Sequence, residues 1–262
     1  MRVALHEVCH DRFTWVSCVQ WAYRGAVATV TTQQAPRTTR KPGKFSNSVV
    51  KKAVMAVTGI IMILYLIAHM IGNLHAFQGA DSFNGYSHWI RTIGEPAVPE
   101  QTTLWIIRLV LLVSVVAHFW AAISLWRQAR RARPVPYVTK KRVQQSFASR
   151  TVRWGGLILA LFIIWHILDL TTGTVNPEGS GTTPYDRLVA SFSNPFVTAF
   201  YVLALVLLGM HLRHGLFSAV QTLGQSNKRR ERPLNVLATT FAVILTGGFL
   251  LIPFSVLFGV ID

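Results

Sequence analysis

AVMAVTGIIMILYLIAHMIGNLH, residues 53–75, is apolar and long enough to cross a bilayer core of about 30 Å, which takes roughly 20 helical residues. It carries an ionisable ring at His69 and a second, His75, at its end. The run has no period-two alternation, and an open strand in lipid would leave its backbone groups unpaired, so the segment reads as a membrane helix.

Four more runs have the same character, at 104–126, 152–172, 196–220 and 235–260. The expected fold class is therefore all-α: an integral membrane bundle of five transmembrane helices. Composition agrees, with 51% hydrophobic and only 14% charged residues in 262. The 26 Lys and Arg against 10 Asp and Glu could suggest nucleic acid binding, but that needs a basic face on a soluble fold, and most of this chain is hydrocarbon-compatible. The charge instead marks loop sides. Nine Lys and Arg precede or include Lys52, eight lie in 127–150 and four in 221–234, whereas 76–103 holds only Arg91 and 173–195 only Arg187. The positive-inside rule then predicts a cytoplasmic N-terminus and an external C-terminus in a bacterial-type plasma membrane.

Residues 1–46 read as a basic, disordered cytoplasmic segment, or as an overextended start with translation beginning near Val27 or Val30. His6, Cys9, His10 and Cys18 match neither paired CxxC zinc spacing nor the CxxCH of covalent haem attachment. A disulfide is not expected on the reducing side of the membrane.

Each of the first four spans carries one deeply placed histidine, namely His69, His118, His166 and His211, and the fifth carries none. Ionisable groups at depth are costly and tend to be kept where they bind something. With 1.5 Å of rise per residue, His69 lies roughly 25 Å beyond Lys52 and His166 roughly 20 Å beyond Arg153, both in the outer half. His118 and His211 lie roughly 13 Å from the inner ends of their spans. Two imidazoles at each of two depths is what bis-histidine b-type haem needs, with the porphyrin between helices and iron held from both faces. Zinc or copper would want three or four ligands converging on one point. A proton relay is the stronger rival, although relays recruit membrane carboxylates and only Asp169 lies near the interior.

The run AVMAVTGIIMILYLIAHMIGNLHAFQGADSFNGYSHWI, with WHILD and MHLRHGLFSAVQTLG further on, resembles the single-polypeptide, five-helix, dihaem cytochrome b subunit (b558 type) of succinate dehydrogenase and fumarate reductase, over 47–260. The resemblance implies that His69 and His166 hold a distal haem iron and His118 and His211 a proximal one. It further implies a membrane anchor of respiratory complex II. Such an anchor docks a flavoprotein and an iron-sulfur protein at the cytoplasmic face and passes electrons through haem b, two copies expected, to a membrane quinone, with menaquinone expected. The chain itself would hold no succinate site and would contribute the quinone site.

Around these ligands, Arg108, Arg153 and Arg213 are candidate partners of haem propionates, or else snorkelling interfacial cations. His214, nearly one turn after His211, is a candidate for the proximal propionates or the incoming iron-sulfur protein. His75, His88 and Asp169 fall at the outer ends of spans one and three and are candidates for quinone or proton handling. Thr58, Gly59, Gly155, Gly156, Gly209 and Gly215 would let helices or a porphyrin approach closely. Span five, with a kink expected near Pro253, closes the bundle. Some members of the resembled family carry a buried glutamate two positions before the span-four ligand. Gly209 stands there in this chain, so a proton path of that type is not expected. The alternative functions are a dihaem cytochrome b for another quinone-linked oxidoreductase and a haem-free, histidine-based proton-coupled transporter.

Overall fold

The computed structural model describes residues 47–132, 147–222, 224 and 227–262. The basic segment 1–46, with His6, Cys9, His10 and Cys18, and part of the loop at 127–150 lie outside the described residues.

Five helices are long and apolar enough to span a membrane, and no strand occurs among the described residues. The chain is a multi-pass membrane protein. Helix α1 (Ser48–Asn73) starts where the Asn47 side chain accepts from Val49 N at 3.2 Å, satisfying an otherwise orphaned first-turn donor. A 3₁₀ turn (Leu74–Gln78) and a short helix α2 (Ala80–Thr92) follow, then the second span α3 (Thr102–Arg131). The third span, α4 (Phe147–His166), passes directly into a π turn at Ile167–Thr171. Helix α5 (Pro184–Ser193) opens with Pro at its first position and a capping box in which Thr183 and Asp186 satisfy each other's backbone donors. Spans four and five are α6 (Pro195–Thr222) and α7 (Lys228–Leu257).

The hydropathy runs and the helices share their centres but not their ends. Span five was expected over 235–260, yet α7 begins at Lys228 behind an Asn227 cap and stops at Leu257. Gly259, at φ +68°, turns the chain so that Val260 N and Ile261 N both donate to Ser255 O. Caps and turns set helix ends, whereas hydropathy marks only the stretch compatible with lipid. Pro253 lies inside α7 and is among the most completely buried side chains.

Helix α1 packs on α3, α4 on α6, and α6 on α7, with α1 reaching α6 and α7. No comparably close backbone packing joins α1 to α4 or α3 to α6 among the described residues. Large apolar side chains of α3, including Trp105, Leu109, Val113 and Val116, are exposed, as a lipid-facing helix requires. One end of the bundle is closed by α2, α5 and the C-terminus around Phe83, Tyr185, Leu188, Phe192 and Ile261. Asn84 Oδ1 accepts from Tyr185 N at 3.1 Å, and Tyr185 OH donates to Asp262 O at 3.0 Å, fastening that closure.

Candidate functional site: two facing histidine pairs

The four deep histidines meet two by two. His69 of α1 and His166, the last residue of α4, have ring centroids 5.7 Å apart at 85°. His118 of α3 and His211 of α6 are 6.1 Å apart at 59°. Thr58, which touches His118, lies about three turns into α1 while His69 lies eleven residues later, so the pairs are about 16 Å apart along that axis.

Each ring is set by its own neighbours. His69 stacks on Tyr65 one turn earlier, at 5.3 Å and 11°, and abuts Phe249 of α7 at 5.8 Å. His166 sits between Phe162 at 5.7 Å and Tyr201 at 5.9 Å. The Nδ1 atom of His118 lies 3.1 Å from Met55 O and 3.2 Å from Thr58 Oγ1. Thr58 sends its own proton to Val54 O at 2.7 Å, and Met55 O can only accept, so Nδ1 of His118 is the protonated nitrogen and Nε2 keeps its lone pair. A second-shell bond of this kind is how a metal-ligating imidazole is aimed. Nδ1 of His166 and of His211 is buried without a protein partner, unlike a histidine whose role is to hydrogen-bond the core.

These features fit a bis-histidine haem. Two imidazoles trans across one metal, each at the usual metal–nitrogen distance of about 2 Å, have ring centroids roughly 6 Å apart. The helices that carry each pair are not packed closely together, and all four histidines are only half-buried as residues. Gly59 and Gly156 lie over two of the rings: a Cβ there would meet His118 Cε1 at 3.6 Å and His211 Cε1 at 3.9 Å. Among the described residues no three His, Cys, Asp or Glu side chains converge on one point.

The remaining candidates are scattered. Arg108 is exposed and lies over the Trp105 ring at 4.9 Å, and Arg153 is exposed. Arg213 Nε donates to Thr239 Oγ1 at 2.9 Å, tying α6 to α7, and His214 is half-buried beside it. His75 stacks on Tyr86 at 4.8 Å, and its Nδ1 is 3.0 Å from Ser82 Oγ. Gly72 makes that packing possible, because a Cβ there would fall 2.6 Å from Tyr86 Cε1. His88 is exposed, while Asp169 is 2% exposed in a polar network with Asn176, Ser191 and Tyr201. No hydrogen bond or ring contact joins His75, His88 and Asp169 among the described residues. At Gly209 the space beyond Cα is taken by Thr246, whose Oγ1 a Cβ would meet at 2.7 Å. Sequence reasoning missed Tyr65, Tyr201 and the Thr58–Met55 acceptor pair. Only Tyr65, four residues before His69, left a readable signal, as an i, i+4 aromatic pair.

Residues 128–247 match the family described as succinate dehydrogenase/fumarate reductase transmembrane subunit. The succinate dehydrogenase cytochrome b558 subunit of Bacillus subtilis (strain 168) is 22% identical over 185 residues, 70% of this chain and 84% of that protein. Both comparisons make this chain similar to succinate dehydrogenase/fumarate reductase cytochrome b subunits. The matched family segment contains His166 and His211, whereas His69 and His118 precede it. No solved structure matches the chain. These similarities support reading the chain as a membrane-anchor subunit, and the cytochrome b name belongs to the Bacillus relative.

Proposed function

We propose that the chain is the anchor of a complex II, holding two b-type haems, one between His69 and His166 and one between His118 and His211. The observation that supports this most strongly is the meeting of imidazoles from different, loosely packed helices at two depths. When bound, each haem supplies a one-electron carrier between an iron-sulfur protein and a membrane quinone, for which menaquinone is our expectation. The residues of the chain do the rest. His69, His118, His166 and His211 hold iron; Met55 O and Thr58 fix the His118 tautomer; Tyr65 and Tyr201 wall the outer pair and limit water there.

The basic loops support an orientation with the N-terminus and the His118/His211 end on the cytoplasmic side, where a flavoprotein and an iron-sulfur protein would dock beside Arg213 and His214. Succinate chemistry then belongs to the flavoprotein. The quinone would take its two protons at the other end, where His75 sits at the corner of α1 and α2 with Tyr86 and Ser82.

The direct test is a reduced-minus-oxidised spectrum of the purified complex, with succinate as reductant. The proposal predicts b-type bands that succinate reduces and added quinone reoxidises, and a preparation without a Soret band would contradict it. Within it, Thr58→Val removes one of two acceptors from His118 Nδ1 and leaves Met55 O. Haem transfer to excess apomyoglobin should then show about tenfold weaker retention at one centre, the low end for loss of an outer-shell partner.

A further inference from the structure

We propose that Asp169 is a positioning residue for the outer centre, holding a buried negative charge one helical turn from His166 that favours oxidised iron there. The inference rests on the reading that His69 and His166 bind haem. Asp169 sits in the π turn that begins directly after His166, and only 2% of it is exposed. Its Oδ1 accepts from Asn176 Nδ2 at 2.9 Å and Ser191 Oγ at 2.5 Å, and its Oδ2 accepts from Tyr201 OH at 2.7 Å.

The two hydroxyl donors have little alternative use for their protons. Ser191 Oγ is itself an acceptor from Asn176 Nδ2 at 2.9 Å, so its single proton points at Asp169. Asn176 Nδ2 shares its two protons among Asp169, Ser191 Oγ and Arg187 O at 3.0 Å, whereas the Ser191 and Tyr201 hydroxyls both point at Asp169. Donors converging this way make a pocket shaped for a carboxylate. No cation forms an ion pair with it among the described residues. Arg187, 6% exposed, spends its guanidinium on the carbonyls of Leu170 at 3.2 Å and Thr182 at 2.7 Å. The charge is therefore spread by hydrogen bonds rather than cancelled.

Tyr201 links this pocket to the candidate iron site, because the ring whose hydroxyl holds Asp169 also lies 5.9 Å from the His166 ring. Among the described residues no carboxylate hydrogen-bonds to His118 or His211, and Arg213, two residues after His211, bonds to Thr239. A hydrogen-bonded carboxylate one turn from a ligand thus distinguishes the His166 pair from the His118 pair among the described residues. Reduction adds one electron to iron and removes one positive charge, so a nearby fixed anion in a low-dielectric site opposes it.

The test is a mediated redox titration of the purified holo complex, followed in the b-type absorbance. Wild type should show two one-electron waves. Asp169→Asn should move one wave upward, so that the reduced-to-oxidised ratio at its wild-type midpoint rises about tenfold, equivalent to 59 mV for one electron, while the other stays put. The swap Asp169→Asn with Asn176→Asp returns a carboxylate to the same pocket and should restore the original wave. If Asp169→Asn fails to load haem, Ser191→Ala serves instead. It keeps the carboxylate but removes a donor that offsets its charge, and at pH 8 it should move the same wave downward. Unmoved waves, waves moved equally, or a shift of the opposite sign would overturn the role of Asp169 while leaving the two-haem reading intact. A wild-type complex with no b-type absorbance would overturn both.

Discussion

His69→Ala and His118→Ala should each abolish about half of the low-spin b-type absorbance of the purified complex and leave the other half spectrally unchanged. Each substitution removes one of two facing imidazoles from a single pair, and the pairs share no side chain. Loss at the outer site should not reach the inner one, because about 16 Å of α1 separates His69 from the Thr58 contact that aims His118. His75→Ala is the matched control. It removes a histidine six residues from His69 that stacks on Tyr86 instead of a second imidazole, and it should keep all of the absorbance. If either ligand substitution left the absorbance at the wild-type level, the assignment of that pair would fail.

Gly173→Ala should produce the largest loss of stability from the smallest chemical change. Gly173 follows the π turn at φ +71°, a left-handed conformation that costs a residue with a side chain about 1–3 kcal/mol. A Cβ there would also lie 2.6 Å from Gly179 O and 2.9 Å from Arg187 Cδ, and the first of these is backbone that cannot rotate away. Moving Arg187 loosens its bonds to Leu170 O and Thr182 O, which tie α5 to the π turn. We expect a total cost of about 3 kcal/mol and a fall in apparent Tm in detergent of roughly 5 °C or more. Gly179→Ala separates the two causes, since Gly179 has φ +78° but nothing within 4 Å of an added Cβ. It should show only the backbone penalty. Equal effects of the two substitutions, or none from Gly173→Ala, would show that the close approach to Gly179 does not constrain the loop.

Much of this architecture is legible in the sequence. The five spans follow from hydropathy and from the ban on unpaired backbone in lipid, and counting residues from the basic flanks already groups His69 with His166 and His118 with His211, because helical rise is fixed. Those are the rings that meet. What the sequence hides is the closure of one end of the bundle by α2, α5 and the C-terminus. Helices α2 and α5 are short and polar on one side, and such helices owe their existence to tertiary packing, here Phe83 against Tyr185, rather than to a local pattern. The Thr183–Asp186 capping box and Pro184 at the first position are the readable signs of α5.

The same limit explains Asp169. Sequence spacing grouped it with His75 and His88 at the outer ends of spans one and three, as a candidate for quinone or proton handling. Its actual partners, Asn176, Ser191 and Tyr201, come from seven, 22 and 32 residues further along, and only folding brings them to it. The aiming of His118 is hidden for a similar reason, because its acceptors lie on a different helix about sixty residues earlier.

The claim on which everything else depends is that the four histidines act as two pairs. Haem-to-polypeptide ratios of two double variants test it directly. His69→Ala with His166→Ala removes both members of one pair and should lose one haem, no more than either single substitution. His69→Ala with His118→Ala breaks both pairs and should lose both. A haem retained by the second variant, or two lost by the first, would contradict the pairing.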